Sequence, residues 1–200
     1  EHSEAGSRLK EHFVAQVEQI TWAQKLAPET TNLSPTADVP EIQVFEIALR
    51  VPDLDEQVLT AMDRAIPFPL IFELMHDGKR RTVAAYKRPN DADKAKWVRS
   101  DYIWGNWKNN PVVRSALPVV LDMKGLYSEI LRALMPVAGQ PQVDIRASVE
   151  RLEQIRLAER EVALWRQKLK SEKQFNRKVE INASLRGAEA RLKELKGNGA

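Results

Sequence analysis

Glu46, Asp101, Asp122 and Lys124 are the residues of this chain whose types and placing suit a reaction. Acidic side chains on neighbouring strands can hold magnesium, and a lysine beside them can stabilise an attacking oxygen, as in a metal-dependent nuclease. Asp122-Met123-Lys124 follows the apolar run Leu117–Leu121. Asp101 lies upstream, and Glu41, Glu46 and Glu73 fall on other expected strands. An acidic-x-lysine triplet is common by chance, however, and Asp122 suits equally well the N-cap of a helix that follows it. The histidines, His2, His12 and His76, have no carboxylate or second histidine at ligand spacing, which leaves them as solvated side chains with no metal site. The absence of cysteine excludes disulfides, thiolate metal sites and a cysteine nucleophile. The eight glycines are scattered, so no phosphate-cradling loop exists, and no serine sits in a nucleophile elbow. These residue types call for no cofactor and favour a protein that binds over one that catalyses.

Binding chemistry is better represented. Arg81, Lys87 and Arg88, with Lys79 and Arg80, surround Tyr86, and Trp97, Trp104 and Trp107 follow. Cations neutralise phosphates and aromatic faces stack unpaired bases; the alternative is that the aromatics belong to the core and the cations to turns. Trp107, next to the loop formers Gly105 and Asn106, is the tryptophan expected to be exposed. Residues 146–196 carry 14 Lys+Arg against 8 Asp+Glu, whereas the rest of the chain carries 17 against 20. A slightly acidic body thus bears a basic arm, suited to nucleic acid, an acidic protein surface or a copy of itself. Arg166, Lys168, Lys170, Lys173, Arg177 and Lys178 would carry the arm's electrostatics. Phe175, beside Asn176, would either anchor a contact or fold back over the arm's apolar seam.

The elements that must position these residues follow from periodicity. Leu9, Phe13, Val14, Val17, Ile20 and Trp22 predict a helix over about 7–25, and the prolines at 28, 35 and 40 predict a loop. Residues 41–49 alternate as a strand, and Asp53 or Asp55 caps a helix presenting Val58, Leu59, Met62 and Ile66. Asp77-Gly78 between the apolar runs 70–74 and 82–86 signals a hairpin. A further strand is expected over 96–103, and residues 117–121 read as a last strand or a buried lead-in to a helix that ends at Pro136. The order predicts an α+β domain over 1–142, with a mainly antiparallel sheet of about four strands and helices on one face.

The arm, 143–200, holds two coiled-coil-like registers: Ile155, Ala158, Val162, Trp165 and Leu169, then Ile181, Leu185, Ala188, Leu192 and Leu195. They are out of phase. Continuing the first would bring Glu172, Asn176, Arg186 and Lys193 into the seam. A helical hairpin turning near 171–176, with Asn176 left-handed, resolves the conflict; a bent helix docked on a partner is the alternative. With 43% hydrophobic and 30% charged residues and no apolar run of about 18, the chain reads as a soluble cytoplasmic protein without a membrane span.

Several segments taken together resemble a known family: FVAQVEQITW (13–22), KLAPET (25–30), EIQVFEI (41–47), IPFPLIFE (66–73), AAYKR (84–88) and KQFNRKVE (173–180). The chain is similar to the bacterial and archaeal family called domain of unknown function 4391 over nearly its whole length. The resemblance implies a further N-terminal stretch rich in Lys and Pro, so that the sequence is expected to start partway into a longer product. It implies no activity. It does imply neighbouring helicases and DNA methyltransferases in restriction-like or phage-defence loci, and hence a role on DNA or beside such a partner. Three functions follow: a non-catalytic adaptor of a DNA-targeting system, a metal-dependent nuclease, or a structural protein that self-associates through its arm.

Overall fold

The computed structural model describes residues 2–93, 96–111, 116–135 and 143–197. In order they form α1 (His2–Gln16), β1 (Val17–Leu26), the one-turn α2 (Pro28–Thr31), β2 (Ile42–Leu49), α3 (Glu56–Ala65), β3 (Leu70–His76), β4 (Lys79–Ala84), β5 (Lys87–Pro89), β6 (Trp97–Arg99), β7 (Ile103–Trp104), β8 (Lys108–Asn109), α4 (Met123–Leu134), α5 (Ile145–Ser171) and α6 (Phe175–Gly197). The expected stop at Pro136 and the linker 137–142 lie outside the described residues. The chain forms two compact units, residues 1–136 and 137–200. No described helix is long and apolar enough to cross a membrane.

Unit 1 is α+β. Among the described residues its main sheet has six strands rather than about four, in the order β1-β2-β3-β4-β7, with β8 beside β4. All pairs are antiparallel except β2 and β3, which α3 joins as a crossover helix. The first predicted helix is too long. It stops at Gln16, and Val17–Leu26 become β1 against β2. The 3–4 spacing of Leu9, Phe13 and Val17 is helical, but Ile20 and Trp22 are two apart. β-branched and aromatic residues facing an available partner strand favour extended backbone. Asp55 caps α3, its carboxylate accepting from Gln57 N at 2.8 Å.

Strand alternation places Ile47, Phe72, Leu74 and Val83 on one face of the sheet, packed with Val58 and Leu59 of α3 and with Phe13 of α1. The opposite positions Ile71, Ala84 and Ile103 are also buried, and α4 touches β4 and β7. A Cβ at Gly105 would meet Thr82 O at 3.0 Å and Leu134 Cδ2 at 3.3 Å, so glycine permits the close approach there. Helices therefore cover both faces, not one, because the central strands are apolar on both sides. The segment 96–103 changes partners midway: Trp97–Arg99 pair with β5, and Ile103–Trp104 with β4. Residues 117–121 are neither strand nor buried. Leu117, Val119 and Leu121 are 52%, 104% and 95% exposed.

Unit 2 is a helical hairpin. Val162, Leu185 and Ala188 form its buried seam, flanked by Trp165, Leu169 and Leu192. Ion pairs at 2.7 Å, Arg166–Glu189 and Lys196–Glu159, bridge the helices. The Arg151 guanidinium donates to Leu195 O at 2.8 and 3.1 Å. The turn is Glu172-Lys173-Gln174, and it needs no left-handed residue. Asn176 lies inside α6, contrary to expectation, because the Glu172 carboxylate closes the turn by accepting from Lys173 N (2.7 Å) and Gln174 N (2.9 Å).

The β3–β4 hairpin has a two-residue loop in which Asp77 (φ 47°) and Gly78 (φ 66°) are both left-handed. This is the backbone that matches the twist of the flanking strands. Gly78→Ala should destabilise unit 1 by about 1 kcal/mol, since a Cβ is disfavoured in that conformation; urea unfolding read by tryptophan fluorescence measures it.

Candidate functional site

The arm's charge is not spread along it. Residues 146–165 carry four cations and four carboxylates, and residues 179–196 carry four and three. Residues 166–178, the hairpin tip, carry six cations against Glu172 alone. Arg166 is paired with Glu189. The Lys168 ammonium lies 4.4 Å from the Trp165 ring centroid. Lys170, Lys173, Arg177 and Lys178 are exposed and make no ion pair within 4 Å among the described residues. Glu172 is held below the usual carboxylate range, first by the N–H groups of Gln174 and Lys173 and then by the nearby charges of Arg177 and Lys178. Phe175 does not fold back over the seam. It is 78% exposed, and Val179, one turn on, is 55% exposed.

Most of the basic cluster of unit 1 is used internally, although Lys79 is exposed. Lys87, expected to meet phosphate, is buried, and its ammonium donates to Asp63 O, to Ile66 O at 2.6 Å and to Asp63 Oδ1 at 3.3 Å. Those carbonyls end α3, so Lys87 serves as a buried cap on a helix C-terminus. Burial lowers its pKa, and the Asp63 charge opposes that shift. Tyr102 OH donates to Asp63 Oδ2, and Tyr127 OH donates to Ala85 O while accepting from Lys87 N at 3.0 Å. The Arg99 guanidinium lies 4.1 Å from the Tyr102 ring centroid. Sequence reasoning missed Asp63, Tyr102 and Tyr127. Their spacing carries no signal, because the network closes only when α3, β5 and α4 pack.

Tyr86 stacks on Tyr127 with ring centroids 6.3 Å apart, and Arg88 pairs with Asp91 at 3.1 Å. Trp107 is half-buried against the core, not exposed, and Arg81 lies over both Trp104 (4.7 Å) and Trp107 (5.9 Å) while donating from Nε to Gly105 O at 2.7 Å. Burial depresses the Arg81 pKa.

The nuclease candidates do not converge. Glu46 is ion-paired to Arg80 at 2.7 Å. Asp101 lies between β6 and β7, Asp122 caps α4 by accepting from Gly125 N at 2.7 Å, and Lys124 faces Asp38 at 3.6 Å. Glu41 pairs with Lys25 at 3.1 Å. Glu46 and Glu73 do sit opposite each other on the parallel strands β2 and β3. Burial raises the Glu73 pKa, and the Thr82 hydroxyl donates to its carboxylate at 2.9 Å. Among the described residues, no three His, Asp or Glu side chains are grouped to hold a metal. The two histidines with described side chains are engaged, not simply solvated: His12 Nδ1 lies 3.4 Å from Asp55 Oδ2, and His76 Nδ1 lies 3.1 Å from Leu49 O.

Removing the ammonium from this network in Lys87→Met should cost about 3–5 kcal/mol, the penalty for breaking a buried pair, measured by urea unfolding. The pH dependence has a definite sign. Burial, then the Asp63 charge, raises the Tyr102 pKa, and burial raises that of Tyr127. A folded pKa above the unfolded one contributes stability that is complete below about pH 10 and is lost as pH rises. The Lys87 shift runs the other way, its contribution growing as pH climbs from its lowered folded pKa toward about 10.4. Above about pH 10 the tyrosines dominate, so the unfolding midpoint should fall there, and less steeply in Tyr102→Phe.

No curated protein and no solved structure matches this chain. Residues 1–192 match the model of the family described as a domain of unknown function (DUF4391), and the chain belongs to that family.

Proposed function

We propose that this chain is a non-catalytic accessory subunit of a DNA-targeting system, restriction-like or phage-defence, acting in the cytoplasm. In this reading the tip of the α5–α6 hairpin docks on the phosphate backbone of nucleic acid. A helicase or DNA methyltransferase encoded nearby is the protein partner. The observation that supports it is the charge at the tip. Six cations face one carboxylate over residues 166–178, and Lys170, Lys173, Arg177 and Lys178 stand in solvent beside the exposed Phe175. Cations held outside ion pairs are free to displace the counterions of a polyphosphate. An exposed aromatic next to them offers a stacking or wedging surface.

The test is a salt titration of binding to a labelled DNA duplex and a single strand. Wild type is compared with a variant carrying Lys170→Gln, Lys173→Gln, Arg177→Gln and Lys178→Gln. The log–log salt slope on duplex should shrink by about 0.9 for each phosphate that the variant leaves unneutralised. Phe175→Ala should cost about 1–3 kcal/mol on single-stranded DNA if a base stacks on the ring. Wild-type protein that binds neither form would end the nucleic-acid reading and leave the tip as a protein-docking element.

A further inference from the structure

β1 is the outer strand of the main sheet, and among the described residues nothing pairs with its far edge. Residues 18–24 are all exposed. The strands behind β1 fix the direction of its backbone groups. Gln43 N donates to Pro69 O at 3.0 Å on the β3 side, so the odd-numbered residues of β2 turn their backbone groups to β3 and the even-numbered ones turn theirs to β1. Thr21 lies opposite Glu46 and directs its N–H and C=O at β2. Ile20 and Trp22 therefore direct theirs outward, away from the sheet.

Edge strands are commonly blunted by a central charge or proline. The stretch Gln19–Ala23 has neither, and its large apolar side chains, Ile20 and Trp22, are 38% and 59% exposed. Register shifts between Val17 and Gln19 and between Trp22 and Gln24 confine regular pairing to this stretch. It is complementary to itself. When β1 is laid antiparallel on a copy, about a two-fold axis normal to the sheet at Thr21, Ile20 meets the partner's Trp22 and Trp22 meets the partner's Ile20. Opposed residues of an antiparallel pair share a face, and here outward backbone meets outward backbone, so each of these two pairs exchanges two N–H···O bonds. On the other face Thr21 meets the partner's Thr21. Aromatic–branched and Thr–Thr pairs are both favourable across strands. Ile20 also borders a hollow of about 420 Å³ that Phe13, Val14 and Val17 help to line, so the partner's indole beside Ile20 has apolar surface to cover. We infer that β1 is a self-complementary edge through which two copies of the chain join their sheets, strand against antiparallel strand.

An extended peptide of another protein is the other occupant that an edge strand admits. A second copy is favoured because the chain supplies its own matching stretch in one register. An axis at Ile20 would set Trp22 against Glu18, and an axis at Trp22 would set Ile20 against Gln24, each across a register shift. Only the axis at Thr21 keeps both outward-facing residues within the regular stretch. The inference does not rest on what the hairpin tip binds, since no residue of unit 2 takes part.

Pairing over so short a stretch lies at the small end of specific interfaces, so the dimer is a reversible one with a dissociation constant of about 1–100 µM. Sedimentation velocity of the full chain over that range should show monomer and dimer in exchange. Trp22→Ala, at an exposed position, should weaken association about tenfold or more while leaving the far-UV circular dichroism unchanged. Because the chain has no cysteine, oxidation reports the register. Thr21→Cys lies on the axis, in a non-hydrogen-bonded pair where Cβ atoms approach closely, and should form a disulfide-linked dimer. Gln19→Cys, whose two copies the same register holds about 14 Å apart, should not. A monomer throughout the concentration range, a dimer indifferent to Trp22→Ala, or cross-linking of Gln19→Cys as efficient as that of Thr21→Cys would each overturn the inference.

Discussion

Unit 1 is tied together by a buried ammonium. Lys87 extends from β5 into the end of α3, where all three of its donors meet oxygen: the carbonyls of Asp63 and Ile66 and the Asp63 carboxylate. The Asp63 carboxylate takes the Tyr102 hydroxyl from the segment before β7, and the Lys87 amide reaches Tyr127 on α4. One charge thus joins the crossover helix, the second small sheet, the main sheet's edge and the helix on the opposite face. A charge removed from water is tolerated only when its hydrogen-bonding capacity is filled. Each of these segments is therefore constrained by the position of the others. Most of the basic cluster around Tyr86 is likewise engaged within the unit, Arg81 by two tryptophans and a carbonyl and Arg88 by Asp91.

The hairpin solves a different problem. Its length carries balanced charges that pair across and along the helices, and its excess is gathered where the chain reverses. Only one carboxylate stands among the tip cations. One of its oxygens, Oε1, accepts from both backbone amides of the turn and so holds the reversal in shape. Keeping cations together at the tip costs repulsion that solvent screens readily at an exposed site. The arrangement makes physical sense when a polyanion or acidic surface relieves that repulsion.

Local chemistry was legible where a few residues settle the backbone. Asp77-Gly78 marked the hairpin, Asp53 or Asp55 and Asp122 marked helix starts, and two apolar registers out of phase marked a helical hairpin. In each case the determining interaction lies within a few residues or follows one helical period. Phe175 was legible only as a choice between exposure and burial, because the angle at which the turn leaves α5 decides it. The fate of Val17–Leu26 was not legible. Its residues tolerate helix or strand, and β2, more than fifteen residues away, provided the ladder.

By itself the sequence determined an α+β body followed by a paired helical arm, and the concentration of positive charge in that arm. These properties rest on periodicity, capping and composition, all of which act over short distances along the chain. The tertiary structure alone decided that the sheet has six strands among the described residues, with helices on both faces, and that Lys87 is a buried cap and not a phosphate ligand. It also decided that Trp107 and Arg81 support each other, and that Phe175 stands in solvent. A side chain's burial depends on which distant segments close over it, and that depends on summed packing and hydrogen-bond satisfaction across the whole unit rather than on its neighbours in sequence.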